Sequence, residues 1–402
     1  MNTTKPILVQ KYGGVCLATP EKIKQVALGV KKWVSAGHRM VVVVSAMGPT
    51  TDELTQLAHQ VSPHPNQREL DMLLSAGERI SMSLMSMALS DLGVPSISFT
   101  GSQAGVMTNH SYSNARIIDV RPVRVEEELA KDKVVVLAGF QGVNPETKEI
   151  TTLGRGGTDT TAVAMATRLK AVRCEIIKEV EGVCSADPRL IPAVKPISRL
   201  SYDALADICF WGAKVLQYRC VELAARTQVP LCIKRWGSER SGTEVVPFSR
   251  SEAMETSDVL SINSHAEVEH VEIDAGSMTE AFTHLQQFLA QHQIPYPQIL
   301  ASALGEGGKV RLMLTAEGMN LEKIRKGLIT EEKMRPLGST QSTVTVTCSG
   351  LYRSEKTLEL LKLLSSVGVK PHKILSQPLS VTFSIDPSER ELALTTLHQL
   401  VK

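Results

Sequence analysis

A chain of 402 residues exceeds what one hydrophobic core ordinarily organises and points to two or three domains. With 43% hydrophobic residues it can build full-sized cores, while a net charge of +2 and 4% aromatics exclude the basic excess and stacking platforms of a nucleic-acid or membrane-surface binder. Seven cysteines without a C-x-x-C pair, scattered histidines without metal spacing, no long apolar run and no signal-peptide core set the expectation of a reduced, cytoplasmic protein with no bound metal site and no membrane partner.

The chain opens on an apolar strand, Ile7–Lys11, that runs into Gly13-Gly14. Thr19-Pro20-Glu21 then reads as a helix start (cap, proline at the first position, acidic first turn), and Gly37 suits its end. Met40–Val44 is wholly apolar, as expected of a strand buried on both faces of a parallel sheet, and a polar turn from Ser45 to Glu53 opens the next helix. A long helix over Arg68–Leu92, strands at Pro95–Phe99 and Val134–Phe140, a glycine-rich turn from Leu153 to Gly157, and a strand at Cys174–Ile177 follow. The alternation predicts an α/β fold: an open, mostly parallel sheet sandwiched by helices, with its ligand at the carboxyl ends of the strands.

Ser201–Gln228 is expected to be helical, Leu231–Lys234 a strand, and the polar stretch from Arg235 to Thr243 a domain edge or linker. Beyond about residue 259 the pattern changes to strand Val268–Ile273, helix Thr279–His292, strands Ile299–Leu304 and Val310–Leu314 and a helix over Asn320–Leu328. Strand Thr343–Cys348, helix Ser354–Val367, strand Leu379–Ile385 and helix Glu389–Val401 then repeat that order. Two β-α-β-β-α-β-like units fit, so residues 1–247 and 259–402 are expected to be separate domains.

The polar turns that follow strands collect Lys11, Gly13, Gly14, Ser45, Thr51, Glu78, Arg155, Gly156, Thr158, Asp159, Lys178 and Lys214. Glycine lets backbone N–H groups approach an anion, Thr158 or Asp159 is expected to cap the helix after Gly157, and a helix start favours negative charge. Lysines with glycine turns suit phosphates, although neither a Walker loop nor the protein-kinase motifs are present. Phosphoryl transfer needs chiefly positioning and charge stabilisation. No histidine sits in these turns to act as a base, which favours an acceptor that is already ionised, a carboxylate, over an alcohol. Arg155 and Glu78 then complement the carboxylate and ammonium of an amino acid.

Lys11-Tyr12-Gly13-Gly14, the stretch Val42 to Met47, Ser75-Ala76-Gly77-Glu78, the stretch Gly139 to Gly142, Leu153 to Thr161, Asp187-Pro188-Arg189 and Gly212 to Leu216 run collinearly over roughly residues 7–236. Together they resemble aspartate kinase, of the amino-acid kinase family. The resemblance implies an amino-acid-kinase fold followed by a ferredoxin-like ACT-domain pair, with dimers or higher homo-oligomers formed through the latter. It implies ATP and Mg²⁺ as cofactors, L-aspartate as acceptor and 4-phospho-L-aspartate as product, the first step toward lysine, threonine and methionine. It places Lys11, Asp159 and Lys214 in catalysis, and Ser45, Thr51, Glu78, Arg155 and Gly156 at the acceptor. Lys11, Gly13, Gly14, Thr158, Lys178, Glu179, Arg189 and Lys214 fall to the nucleotide. The chain departs from the family pattern at Val15-Cys16, at Lys178-Glu179-Val180-Glu181 (usually Thr-Asp-Val-Asp), at Gln217-Tyr218-Arg219 (usually His-Pro-Arg) and at Gly350-Leu351-Tyr352. Two other readings therefore stay open: a weak or silent homologue with a ligand-sensing role, and a kinase for another amino-acid carboxylate.

Overall fold

The computed structural model describes residues 5–238, 240–247, 258–292, 294–316, 319–350 and 352–401, so Leu351 and, within the stretch from Arg235 to Thr243, Glu239 lie outside the described residues. Two compact units emerge. One takes residues up to Cys184, Lys195–Phe210 and Lys214 to 247; the other takes Ser185–Val194, Trp211–Ala213 and Asp258 onward.

The first unit runs β1 (Ile7–Tyr12), α1 (Pro20–Ser35), β2 (Arg39–Val44), α2 (Thr50–Val61), α3 (Gln67–Asp91), β3 (Ser96–Phe99), β4 (Val106–Thr108), β5 (Ile117–Val120), α4 (Val123–Ala130) and β6 (Val134–Ala138). It continues through β7 (Gln141–Val143), β8 (Ile150–Thr152), α5 (Gly157–Arg168), β9 (Arg173–Lys178), β10 (Arg199–Ser201), α6 (Tyr202–Phe210), α7 (Tyr218–Thr227), β11 (Leu231–Arg235) and β12 (Thr243–Val246). Among the described residues an eight-stranded sheet has the order β10-β12-β11-β9-β1-β2-β6-β3, parallel throughout except where β11 meets β12. Leu8, Met40, Val42, Val44, Val134 and Val136 pack with Val26 and Val30 of α1 and Met85 and Leu89 of α3 on one face. Helix α5 touches β1, β2 and β9 from the other. Its run Ala162-Val163-Ala164-Met165-Ala166 is buried all round, because small side chains let a helix lie close to a sheet. Thr19 caps α1 as expected, accepting a hydrogen bond from Lys22 N at 3.3 Å.

Three expectations are corrected. Ser201–Gln228 is not one helix: α6 and α7 are separated by a turn in which Gly212 adopts φ +108°, a conformation that ends helices. The stretch from Arg235 to Thr243 is no linker, since β11 and β12 on either side of it pair antiparallel as a hairpin within the first unit. Neither Thr158 nor Asp159 caps α5; the cap is Gly156 at φ +70°, with no side-chain hydrogen bond. A second sheet, β5-β4-β7-β8, is made of strands three or four residues long.

The second unit holds β13 (Val259–Asn263), β14 (Glu269–Asp274), α8 (Met278–Gln291), β15 (Gln298–Leu304), β16 (Lys309–Thr315), α9 (Met319–Leu328), β17 (Met334–Pro336), β18 (Ser342–Cys348), α10 (Lys356–Ser366), β19 (Lys373–Ser376), β20 (Ser380–Ile385) and α11 (Arg390–His398). Its sheets, β15-β16-β14-β17 and β13-β18-β20-β19, are both antiparallel. The first is a complete β-α-β-β-α-β unit. The second borrows β13 from before it, so the two ferredoxin-like units are intertwined. Strand β18 places Val344, Val346 and Cys348 in the core with Leu360, Leu364 and Leu394, and turns Thr343, Thr345 and Thr347 the other way. No described helix is long and apolar enough to cross a membrane.

Candidate active site

Strand alternation delivers the central lysine. In β1, Leu8 and Tyr12 face the α1–α3 core, so Lys11 must face α5, whose first turn carries Asp159. Lys11 Nζ lies 2.6 Å from Asp159 Oδ1, and Lys178 Nζ lies 3.1 Å from Asp159 Oδ2. Lys178 reaches it because β9 runs parallel to β1 with Ile176 beside Lys11, and Lys178, two residues on, shares that face. Lys11 and Asp159 are 6% and 2% exposed, and with the half-buried Lys178 they form a three-charge group with a net positive charge. Burial pushes the Asp159 carboxyl up, but the ammonium groups of Lys11 and Lys178 outweigh it and hold the group below its ordinary range.

Gly13 and Gly14 close the turn beside Lys11. A Cβ on Gly13 would sit 3.7 Å from Lys11 Nζ, so the ammonium lies against this bare backbone. A Cβ on Gly14 would fall 2.7 Å from Ala46 O and 3.1 Å from Gly48 O, because Gly48 N donates to Gly14 O at 3.0 Å and draws the two turns together. The turn that holds Ser45 is in turn tied to α3: Ala46 N donates to Glu78 Oε1 at 3.0 Å. Glu78 is 3% exposed and its Oε2 has no hydrogen-bond partner, so a buried carboxylate oxygen is left for a donor. Burial raises the Glu78 pKa to about 7, against the Ala46 N–H and the nearby Lys11 charge, which lower it.

The turn before α5 presents Arg155 at the surface, between Gly154 at φ +74° and Gly156 at φ +70°. Thr158 is buried against Gly139, where a Cβ would come within 2.4 Å of its methyl group. Ser45 and Thr51 are half-buried at the mouth of the Ala46 turn and the start of α2. The structure thus gathers Lys11, Gly13, Gly14, Glu78, Thr158, Asp159 and Lys178.

Three further candidates are exposed. Lys214 is exposed in the turn between α6 and α7, and Asp159 is engaged by Lys11 and Lys178. Glu179 is exposed. Arg189, in the Ser185–Val194 segment of the second unit, is exposed and paired with Asp187 at 2.6 Å. Among the described residues no group of three or more His, Cys, Asp or Glu side chains could hold a metal ion.

The sequence reading overlooked two residues next to the Arg155 turn. Asp71, fully buried in α3, accepts hydrogen bonds from Thr152 N at 2.8 Å and Ser113 N at 3.0 Å. Arg219 in α7 donates to Leu153 O, Asn114 Oδ1 and Ala115 O. A carboxylate at an otherwise apolar helical position was the one available signal for Asp71.

Residues 6–235 match the model of the amino acid kinase family. The aspartokinase of Mycolicibacterium smegmatis is 50% identical over 239 residues, 60% of this chain and 57% of that protein. The match therefore spans under two thirds of that relative's length. The aspartokinase of Bacillus sp. strain MGA3 is 34% identical over 98% of this chain and 96% of its own. Among solved structures, aspartate kinase from Synechocystis is 32% identical with a TM-score of 0.55, covering 98% of this chain and 69% of that one. E. coli aspartokinase III in complex with aspartate and ADP superposes with a TM-score of 0.77 over 98% of this chain and 99% of that one, at 20% identity, which speaks to the fold.

Proposed function

Since the chain belongs to the amino acid kinase family, among the aspartokinases, we propose that it transfers the γ-phosphoryl group of ATP to the side-chain carboxylate of L-aspartate, giving 4-phospho-L-aspartate. The observation that carries this reading is the Lys11–Asp159–Lys178 group, a net positive charge set against the bare Gly13 turn. An aspartate side chain has a pKa of about 3.9, so at neutral pH it arrives ionised and needs no base. Lys11 faces the charge that develops on the transferred group, and Asp159 fixes its ammonium; preorganised charge of this kind is worth about 10² to 10³ in rate. The unpartnered Glu78 Oε2 receives the acceptor's α-ammonium, and Arg155 its α-carboxylate.

ATP would bring Mg²⁺ on its phosphate oxygens, since Asp159 is occupied by lysines and the described residues offer no protein cage. Residues 1–247 serve as the catalytic half and 259–402 as ACT-type domains through which the protein forms at least a dimer. The setting is the cytoplasm, at the head of lysine, threonine and methionine formation.

The exposed position of Lys214 and the departure at Lys178 favour a second reading, a homologue that binds its ligands without turnover. Incubation with MgATP, single amino acids and hydroxylamine separates the two, because hydroxylamine traps acyl phosphates. Aspartate-dependent hydroxamate is expected. Ligand binding without hydroxamate from any amino acid would establish the silent homologue.

A further inference from the structure

The turn that carries Arg155 is held from two sides. On the α3 side, Asp71 accepts hydrogen bonds from Thr152 N at 2.8 Å, Thr152 Oγ1 at 2.7 Å and Ser113 N at 3.0 Å. All three donors are uncharged. The Ser113 hydroxyl sits between Gln67 Oε1 at 2.6 Å and Asp71 Oδ1 at 3.2 Å. Ser113 adopts φ +60°, a left-handed conformation costly for a residue with a Cβ, and such strain persists only where the surroundings enforce it.

On the α7 side, the Arg219 guanidinium donates to Asn114 Oδ1 at 2.8 Å, Ala115 O at 2.7 Å and Leu153 O at 3.2 Å. The two halves meet at Gly154. A Cβ there would lie 3.0 Å from Ser113 O and 3.3 Å from Asn114 Oδ1, so the strained loop and the Arg155 turn are in direct contact. At the next glycine of the turn, Gly156, a Cβ would fall 1.9 Å from Gln217 Cγ, which brings the start of α7 onto the same backbone.

We propose that Asp71 and Arg219 are positioning residues for the phosphoacceptor: they lock the Ser113–Ala115 loop against Leu153-Gly154 and thereby set where Arg155 presents its guanidinium. The inference rests on Arg155 being an acceptor contact. Neither residue needs to touch substrate. A displacement of about 1 Å at a positioning group costs up to about 10²-fold in rate, so the clamp acts on acceptor engagement and leaves the Lys11 turn alone.

The test is steady-state kinetics by hydroxamate trapping, with aspartate and ATP varied separately, on Asp71→Asn, Arg219→Gln, Arg219→Lys and Asn114→Ala. Asp71→Asn keeps the size but turns a donor toward N–H groups. It and Arg219→Gln are expected to raise the aspartate KM 10- to 100-fold and to leave the ATP KM within twofold. Arg219→Lys is expected to recover part of the loss. Asn114 is exposed, so Asn114→Ala folds even where Asp71→Asn does not, and should raise the aspartate KM three- to tenfold. Equal changes in both KM values, or a lower melting temperature with an unchanged aspartate KM, would overturn the proposal. Hydrogen exchange gives a readout that needs no turnover: in Asp71→Asn, peptides spanning 113–115 and 152–157 should exchange faster while 11–14 keeps its rate. Unaltered exchange at 113–115 and 152–157 sinks the clamp. A wild-type enzyme without hydroxamate from any amino acid sinks the proposed activity, and the exchange result still decides the clamp.

Discussion

Lys178 Nζ stands 3.1 Å from Asp159 Oδ2, on the opposite carboxylate oxygen from Lys11 Nζ. One carboxylate cannot neutralise two ammonium groups, so this group keeps a positive charge that favours an incoming anion.

Lys178→Met should therefore lower kcat about tenfold, below the 10² to 10³ typical of a fully buried donor because Lys178 is partly exposed. Asp159 keeps Lys11, so the fold should survive. Single-turnover measurements at saturating ATP and aspartate decide the matter: an unchanged rate would reduce Lys178 to a ground-state partner of Asp159.

Asp159 is the residue whose loss should cost most. Both Lys11→Met and Asp159→Ala are expected to lower turnover by well over 10²-fold. Asp159→Asn strands two ammonium groups around a neutral amide, and breaking a buried pair in this way costs about 3–5 kcal/mol, readable as a lower urea midpoint. The folded-state pKa of Asp159 lies below its ordinary 3.8, so its contribution is complete above that value and is lost as pH falls through the depressed one. Acid titration of the Asn variant should lack that part of the wild-type transition. Near-normal turnover in both Lys11→Met and Asp159→Ala would remove the catalytic assignment.

The long elements were legible in the sequence because their signals are local. Val41 to Val44 and Val135 to Leu137 are uninterrupted apolar runs and form the centre of the sheet. The Thr19-Pro20 start of α1 fell where it was read. The small sheet was not legible, since strands as short as Val106–Thr108 and Ile150–Thr152 show no periodicity. Nor was the pairing of β13 with β18, which joins Ile262 to Val346 across a whole intervening unit. Lys178 lay within reach of alternation once β9 was set beside β1, but that register depends on tertiary pairing. Asp71 and Arg219 act on loops distant in sequence, and no spacing rule connects Asp71 to Ser113 and Thr152 or Arg219 to Asn114.

The two glycines after Lys11 should differ sharply on substitution. Gly13 has an ordinary extended backbone, φ −71° and ψ 159°, and a Cβ there meets nothing closer than 3.7 Å. At Gly14 a Cβ would lie 2.7 Å from a backbone oxygen, a contact that forces the Ala46 turn away. Gly14→Ala is expected to weaken ADP binding at least tenfold, and Gly13→Ala less than threefold, by calorimetric titration. Equal losses would show that the tight approach of the two turns does not shape the nucleotide site.

Glu78 offers a pH signature. Its pKa of about 7 in the folded chain exceeds the ordinary 4.5, so the protonated form is favoured and ionisation works against folding. The Glu78 contribution to stability is thus full below pH 4.5, falls as pH rises toward 7 and is level above, with a total change of about 3 kcal/mol. Glu78→Gln should gain on the wild type between pH 5 and 8. Acceptor binding runs the other way. An ionised Glu78 attracts the α-ammonium while a protonated one does not, and Lys11 is the charged neighbour that biases the balance. The wild-type aspartate KM should therefore fall about tenfold from pH 6 to pH 8, while that of Glu78→Gln stays high and flat. A wild-type profile as flat as the variant's would mean that the unpartnered Oε2 does not meet the substrate's ammonium.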